Sequence, residues 1–464
     1  MAEAAHSYAY LARSGADPAG RRAVLQTSGG VTVAGPAANP RFFTGFLAGA
    51  EQAAAGLLAV ADVAQARYYQ PQRAGLRDPV VTCSGDRLRF ESFSGCCGVY
   101  ARLDVLSEAL DGQVHDRGTT NVDVNGPLRQ ALARIGGADP LHLGVGPDEL
   151  AVTTLDGPVV EKKVPLPGRW LRGFAEVQVI SAGFDLRAEL AAAEGLRFLR
   201  SLPGGARGPA LWAVPAGRSL RLASRPMVGA VCVPGPQRLA ALGPLLRHAR
   251  ALRVYGPVIG PASPPSASAW ELVLQDMRLL LTLSPEPYRG FSGEGAVLEA
   301  LASDEVEADA DLVGALLAFE PRVEVDLLAE RSGLPTARVR AALGQLGTAG
   351  RVGYDVAEAA YFHHELPYDA ARVEAMNPRL ANARALVAAG AVRLNGELAT
   401  VAVGDHGHRV RFDDDGAAAC TCSWWARYRG SRGKCTHVLA AELARVGQPA
   451  DRDNPVAATP AAGQ

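Results

Sequence analysis

The chain has 464 residues, with 47 Lys+Arg against 48 Asp+Glu and a formal net charge of -1. That balance excludes a uniformly basic nucleic-acid coat protein and a strongly acidic disordered chain. At about 150 residues per domain the length predicts roughly three domains, and 48% hydrophobic residues are enough for several ordinary cores. Lysine is confined to Lys162, Lys163 and Lys434, a bias assigned to genome composition rather than to function.

Met1 to Pro40 lacks a basic start followed by an apolar run, so no secretory signal is expected. No stretch approaches the 18 or so apolar residues that a membrane span needs. Seven cysteines are too sparse for a disulfide scaffold, and three of them crowd together near the C-terminus beside a histidine. A metal site in a reducing, cytoplasmic compartment is the expectation.

In chain order, residues 1–40 are Gly/Ala/Ser/Pro-rich without sustained periodicity and read as a flexible leader. Phe42, Phe43, Phe46 and Leu47 lead into a helix predicted from Glu51 to Tyr69, with Leu57, Leu58, Ala61 and Tyr68 at helical spacing. Strands are predicted at Val80–Cys83, Arg87–Phe93 and Gly98–Leu103. A further strand pair is predicted at Leu141–Val145 and Glu149–Leu155, joined by a hairpin turn at Gly146-Pro147-Asp148. Gly85, Leu88, Arg89, Ser92 and Val99 recur as Gly217, Leu220, Arg221, Ser224 and Val231, 132 positions later. A duplicated α/β body (41–200 and 201–300) is one reading of that echo, and coincidence of β-rich composition is the other. Strands at Trp270–Leu274 and Arg278–Leu283 follow the Pro-rich loop Gly256–Ser266.

Residues 301–370 change texture. Helices are predicted at Asp311–Phe319, Val325–Arg331 and Ala337–Leu346, the last capped by Thr336. A short hairpin of Val352–Tyr354 with Ala360–Phe362 follows. That order resembles a winged helix-turn-helix. The third helix carries Arg338 and Arg340, yet 13 Asp+Glu oppose 5 Arg across 301–370. Phosphate neutralisation supplies most non-specific DNA affinity, so a protein-contact or spacer role is favoured.

The C-terminal segment reads Cys420-Thr421-Cys422, twelve further residues, then Cys435-Thr436-His437. On a strand, Cys420 and Cys422 project from one face. After the loop, Thr436 can cap a helix reaching about Val446, with His437 in its first turn and Leu439 and Leu443 on its packed face. Preceding strands are predicted at Ala391–Leu394, Leu398–Val403 and His408–Phe412. Three thiolates and an imidazole make a tetrahedral structural zinc set that leaves no position for a reactive water. Three buried or redox-active cysteines beside a chance histidine are the alternative.

This C-x-C-x₁₂-C-x-H pattern resembles the SWIM zinc finger, with one-residue gaps in both ligand pairs. The resemblance to bacterial SWIM zinc-finger proteins extends to Phe42-Phe43-Thr44-Gly45-Phe46-Leu47 and to Arg89-Phe90-Glu91-Ser92-Phe93-Ser94-Gly95-Cys96-Cys97-Gly98. It implies one structural Zn²⁺ on Cys420, Cys422, Cys435 and His437, and a finger that contacts DNA or protein. Some members resemble components of systems containing a MoxR-type AAA+ ATPase and a von Willebrand A protein.

Trp424, Trp425, Arg427, Tyr428, Arg429, Arg432 and Lys434 lie between the ligand pairs. Aromatics interleaved with cations suit base stacking and phosphate contact, and equally suit packing around a thiolate-rich zinc. Residues 378–446 hold 10 Lys+Arg against 6 Asp+Glu, a net positive segment. His406 and His408 lack further ligands and read as a solvated turn. His363 and His364 face opposite sides of a strand, Cys96-Cys97 reads as a core or turn pair, and Asp413-Asp414-Asp415 as a solvated loop. No P-loop, H-E-x-x-H helix or G-x-S-x-G elbow is present.

The expectation is an α+β, multidomain, non-enzymatic protein. Its parts are a leader (1–40), two α/β units (41–200, 201–300), a winged-helix-like module (301–370), a small ββα-type SWIM zinc finger (378–446) and a flexible tail (447–464). Its role is expected to be that of a protein adaptor, within an AAA+ ATPase-associated assembly, or alternatively a DNA-binding protein acting through the Trp/Arg loop. Neither a membrane nor a small-molecule substrate is expected as a partner.

Overall fold

A computed structural model describes the chain except residues 1–5, 9, 17–20, 69–77, 138, 148–163, 167, 205–209, 289, 292–303, 367–377, 414–417, 430–432 and 447–464. The chain divides into two compact units, Met1–Met376 and Asn377–Gln464. The predicted strand Glu149–Leu155 and the tail lie outside the described residues.

The first unit is built on a ten-stranded sheet. Its principal elements are α1 (Ala50–Gln65), β1 (Val80–Cys83), β2 (Leu88–Phe93), β3 (Val99–Val105), β4 (Gly118–Val122), α2 (Gly168–Ser181), β5 (Asp185–Ala191), a 3-10 helix (Pro236–His248), β6 (Ala251–Gly256), β7 (Ser268–Val273) and β8 (Met277–Leu283). The order is β5-β6-β7-β8-β3-β2-β1-β4, continued by the strands Thr27–Thr32 and Gly35–Ala37. The described residues of 21–40 therefore form strands and are not part of a loose leader. Thr27–Thr32 pairs with β4, and Arg22–Leu25 pairs in parallel with Leu141–Val145 in a separate five-stranded sheet. Partners about 90 and 120 residues away supply an order that local composition does not display.

Two halves meet antiparallel at the centre, with Val105 opposite Met277 and Val99 opposite Leu283. Each half is a helix followed by a three-strand meander: α1 with β1-β2-β3, and the 3-10 helix with β6-β7-β8. The repeat seen here differs from the echo in the sequence. Ser219–Ala223 and Val231–Val233 flank Leu211–Ala216 in a small three-stranded sheet, whereas β2 pairs directly with β3. The matching positions are Phe90-Glu91 and Trp270-Glu271, in the middle strand of each meander and 180 positions apart.

Side chains alternate across a strand, so the sheet has two faces. One is apolar: Leu88, Phe90, Ala101, Leu103, Leu279 and Leu281 pack under α1 and the 3-10 helix. The other carries Arg89, Glu91, Arg102, Asp104, Glu271 and Arg278, all buried. A sheet with one charged face ordinarily turns that face to water. Here it is covered by α2 and by the hairpin of the next module.

That module consists of α3 (Asp304–Ala315), α4 (Val325–Ser332), α5 (Thr336–Thr348), β9 (Val352–Asp355) and β10 (Ala360–His363). The three helices and the hairpin match expectation in order. The first helix starts earlier and ends at Ala315, leaving Phe319 buried at φ 58°. Thr336 is the first helical residue and makes no side-chain cap, because Pro335 occupies the cap position.

Asp355, at the end of β9, is inserted among three arginines. Arg89 reaches it at 2.8 Å, Arg102 at 2.8 Å and Arg278 at 2.9 Å, while Arg89 and Arg102 each also hold Asp104 at 2.9 Å. The Arg89 guanidinium lies 3.7 Å over the Phe362 ring. His364 meets Glu91 at 3.1 Å, both fully buried. Burial alone would raise the Asp355 carboxyl, but Arg102, Arg89 and Arg278 outweigh it and hold its pKa well below the ordinary range.

The second unit comprises α6 (Pro378–Ala388), β11 (Val392–Asn395), β12 (Leu398–Val403), β13 (His406–Phe412), β14 (Ala418–Cys420), α7 (Ser423–Tyr428) and α8 (Thr436–Val446). The strands form one antiparallel sheet in sequence order. Ala399, Val401, Val410 and Phe412 point to its buried side, against Val438 and Leu439 of α8.

Candidate metal centre

Cys420 ends β14, Cys435 immediately precedes α8, and His437 lies in the first turn of α8. Cys422 is placed differently from the sequence expectation. The strand stops at Cys420, and Cys422 is the N-cap of α7, its Sγ accepting from the Trp425 N–H at 3.3 Å. One ligand atom from each of the four residues lies within 4.8 Å of every other. Sulfur atoms around a tetrahedral zinc stand about 3.8 Å apart, given a Zn–S bond of about 2.3 Å, so modest contraction brings this set onto one ion. The imidazole offers Nδ1, 3.8 Å from Cys420 Sγ.

The three cysteines are buried and His437 is half-buried. Hydrogen bonding from Cys420, assisted by His437 and Cys422, pulls the Cys435 thiol down to about 4. Its proton-sharing partner Cys420 is pushed up, first by that hydrogen bond and then by burial. Burial raises Cys422. Such a cluster suits a soft cation that takes thiolates and displaces the remaining protons. All seven cysteines of the chain are free of disulfides.

The aromatic and basic segment is in large part the helix α7 rather than a loop. Trp424 is half-buried, with the Arg379 guanidinium 4.8 Å from its ring and Tyr428 packed at 4.6 Å. Lys434 is paired with Glu442 at 2.9 Å. Arg427 and Arg429 are exposed, Arg427 lying 5.4 Å over Tyr428. Trp425 is half-buried, and Arg432 lies outside the described residues. Of the predicted contact set, Trp424, Tyr428 and Lys434 are engaged within the unit, which leaves Arg427 and Arg429 as the exposed cations among its described residues.

His408 is the residue that sequence reasoning missed. It lies in β13, as the predicted strand His408–Phe412 has it, and its tilted ring packs against His437 with centroids 4.0 Å apart, so it is no part of a solvated turn. The pairing of Val410 with Cys420 brings His408 level with Cys422, so correct strand register would have revealed it. His406, at the start of β13, is exposed, and Asp413 pairs with Arg411 at 3.1 Å. His363 and His364 do diverge: His363 Nδ1 accepts from the Phe319 N–H, and His364 turns to Glu91. Cys96 and Cys97 are buried turn residues, Cys97 at φ 55°.

Within the winged-helix module, Arg338 makes a two-pronged pair with Asp309 at 2.6 and 2.7 Å. The buried side of α5 rests on α3 and α2. Arg340 is exposed. The hairpin that would serve as a wing is occupied by the Asp355 cluster.

Comparison with known proteins gives a match of residues 293–353 to the DprA winged helix domain. No curated protein matches the chain. Among solved structures, Proliferating Cellular Nuclear Antigen from Entamoeba histolytica aligns over 53% of this chain and 100% of its own, with 10% identity and a TM-score of 0.32. A likeness at that level fixes neither fold nor function. No helix among the described residues is long and apolar enough to cross a membrane.

Proposed function

We propose that the chain is a non-enzymatic interaction protein of the SWIM type whose C-terminal unit, folded around one structural Zn²⁺, makes the contact with a nucleic acid. The observation that carries this reading is the convergence of Cys420, Cys422, Cys435 and His437. Four protein ligands fill a tetrahedral zinc and leave no site for a metal-bound nucleophile. The zinc then works by folding the unit rather than by chemistry. Exposed Arg427 and Arg429 beside the aromatic pair Trp424–Tyr428 support a polyanionic partner.

In this reading the winged helix is a structural clamp and not the duplex reader, because its wing is buried in the charged sheet face and Arg338 is paired. The adaptor role in an AAA+ ATPase assembly rests on the SWIM resemblance alone. Metal analysis tests the premise: one zinc per chain in protein purified without chelator is expected, together with a tetrahedral thiolate spectrum after cobalt exchange. Well under one equivalent would return the cysteines to a metal-free role.

A further inference from the structure

The outer face of the C-terminal unit's sheet carries a row of exposed cations. Each strand turns alternate residues outward, and register sets them in rows. Arg393 of β11 faces Thr400 of β12, which faces Arg409 of β13. Thr421 closes that row, its Oγ1 accepting from the Arg409 N–H at 3.0 Å. The next row runs Asn395, Leu398, Arg411, Ala419. Arg393, Thr400, Arg409, Arg411 and Thr421 are exposed, as is Leu398 at 47%. The strand positions on this face carry three arginines and no carboxylate. Arg411 reaches Asp413 at the end of its strand, an exposed pair of the kind worth little. Arg393 and Arg409 have no carboxylate partner among the described residues.

The geometry points to this face as a binding track for the phosphate backbone of a single-stranded nucleic acid. The inference rests on the nucleic-acid reading above and relocates its main contact from the aromatic segment to the sheet. Arg409 and Arg411 stand about 7 Å apart along one strand, and Arg393 and Arg409 about 10 Å apart across two. Fixed cations at those intervals, with the Thr400 hydroxyl between two of them and the Thr421 hydroxyl at the end of the row, can follow successive phosphates. Guanidinium groups suit phosphate in particular because their donors form a planar fork. Leu398 offers an apolar spot beside Arg411 on which a base can rest. The face is a broad strand surface without a projecting helix or ribbon, and entry into a duplex major groove requires one. A single strand is the substrate such a surface fits.

The test is fluorescence anisotropy of a labelled oligothymidylate against the full, zinc-loaded chain at two salt concentrations. The triple variant Arg393→Gln, Arg409→Gln, Arg411→Gln is compared with Arg427→Gln, Arg429→Gln. Zinc content and melting temperature are measured on each to confirm folding. The sheet-face variant is expected to bind at least tenfold more weakly, with a salt slope smaller by about 2, as loss of three phosphate contacts at roughly 0.7 each implies. Thr400→Arg, which adds a cation within the row, is expected to tighten binding several-fold. A folded triple variant that binds like the wild type overturns the sheet-face assignment, and a loss confined to the Arg427/Arg429 variant leaves the nucleic-acid reading standing. Duplex binding tighter than single-strand binding overturns the substrate class. A wild-type chain that does not bind at low salt overturns both readings together.

Discussion

Arg89 and Asp355 stand 266 positions apart in the chain and meet at 2.8 Å, with both side chains closed off from solvent. The first is on a central strand of the large sheet and the second on the hairpin of the winged-helix module. Their contact explains how a charged sheet face can be buried: the module that covers it brings a second carboxylate to arginines that share Asp104 on the sheet.

Removing that carboxylate leaves Arg89, Arg102 and Arg278 crowded around a neutral group. Breaking a buried pair in this way costs about 3–5 kcal/mol. Asp355→Asn should therefore lower the unfolding free energy of the first unit by that amount, read from urea denaturation. A change below about 1 kcal/mol would show that the cluster contributes little.

Acid should attack the same cluster. Asp355 and Asp104 both have pKa values held below normal in the folded state, because the arginines around them outweigh the cost of burial. A depressed carboxylate stabilises the fold above its unfolded pKa of about 3.9, and that stabilisation drains away as pH falls toward the folded value. Urea midpoints of the first unit should hold steady from pH 7 to about 5 and fall below about pH 4. In Asp355→Asn the decline should be shallower.

The winged helix gives a contrasting expectation. Arg338→Ala with Arg340→Ala should leave duplex DNA affinity unchanged in an anisotropy titration, since Arg338 is engaged with Asp309. The stability cost should be small, about 0–1 kcal/mol, because the pair is half-exposed. A tenfold loss of duplex affinity would restore the module as a DNA reader.

Chelation should act on the second unit alone. Structural zinc is worth about 10–16 kcal/mol in finger peptides, so its removal should unfold the four-stranded sheet and α8. The Trp424 and Trp425 fluorescence should shift while the melting transition of the first unit stays in place. His408→Ala should keep one zinc per chain but bind it about tenfold less tightly, at the lower end of outer-shell effects, in competition with a chromophoric chelator.

How much of this was legible follows from the range of the interactions. Cys420, Cys422, Cys435 and His437 fall within 18 residues, and local strand and helix periodicity nearly suffices to converge them. The three helices and hairpin of the winged helix are likewise local. Strand β2, Leu88-Arg89-Phe90-Glu91-Ser92-Phe93, alternates as a half-wet strand does, and its alternation predicts the apolar side correctly. Its charged side is dry only because Asp355 and His364 arrive from more than 260 positions away, and no local pattern encodes that. The strands before residue 40 escaped notice for the same reason. His408 was missed because its significance depends on the register of β13 with β14.

The Arg89–Asp355 contact also imposes an order on biosynthesis. At roughly 5–20 residues per second, a ribosome that has made Arg89 needs about 10–50 s to reach its partner 266 positions on. Through that interval Arg89 and Arg102 have Asp104 beside them but lack the second carboxylate that completes the cluster. The large sheet can close its apolar side as it emerges, but its charged side must stay hydrated until the winged helix has been translated, so truncation anywhere before residue 355 should yield a chain with a permanently open face of mixed charge.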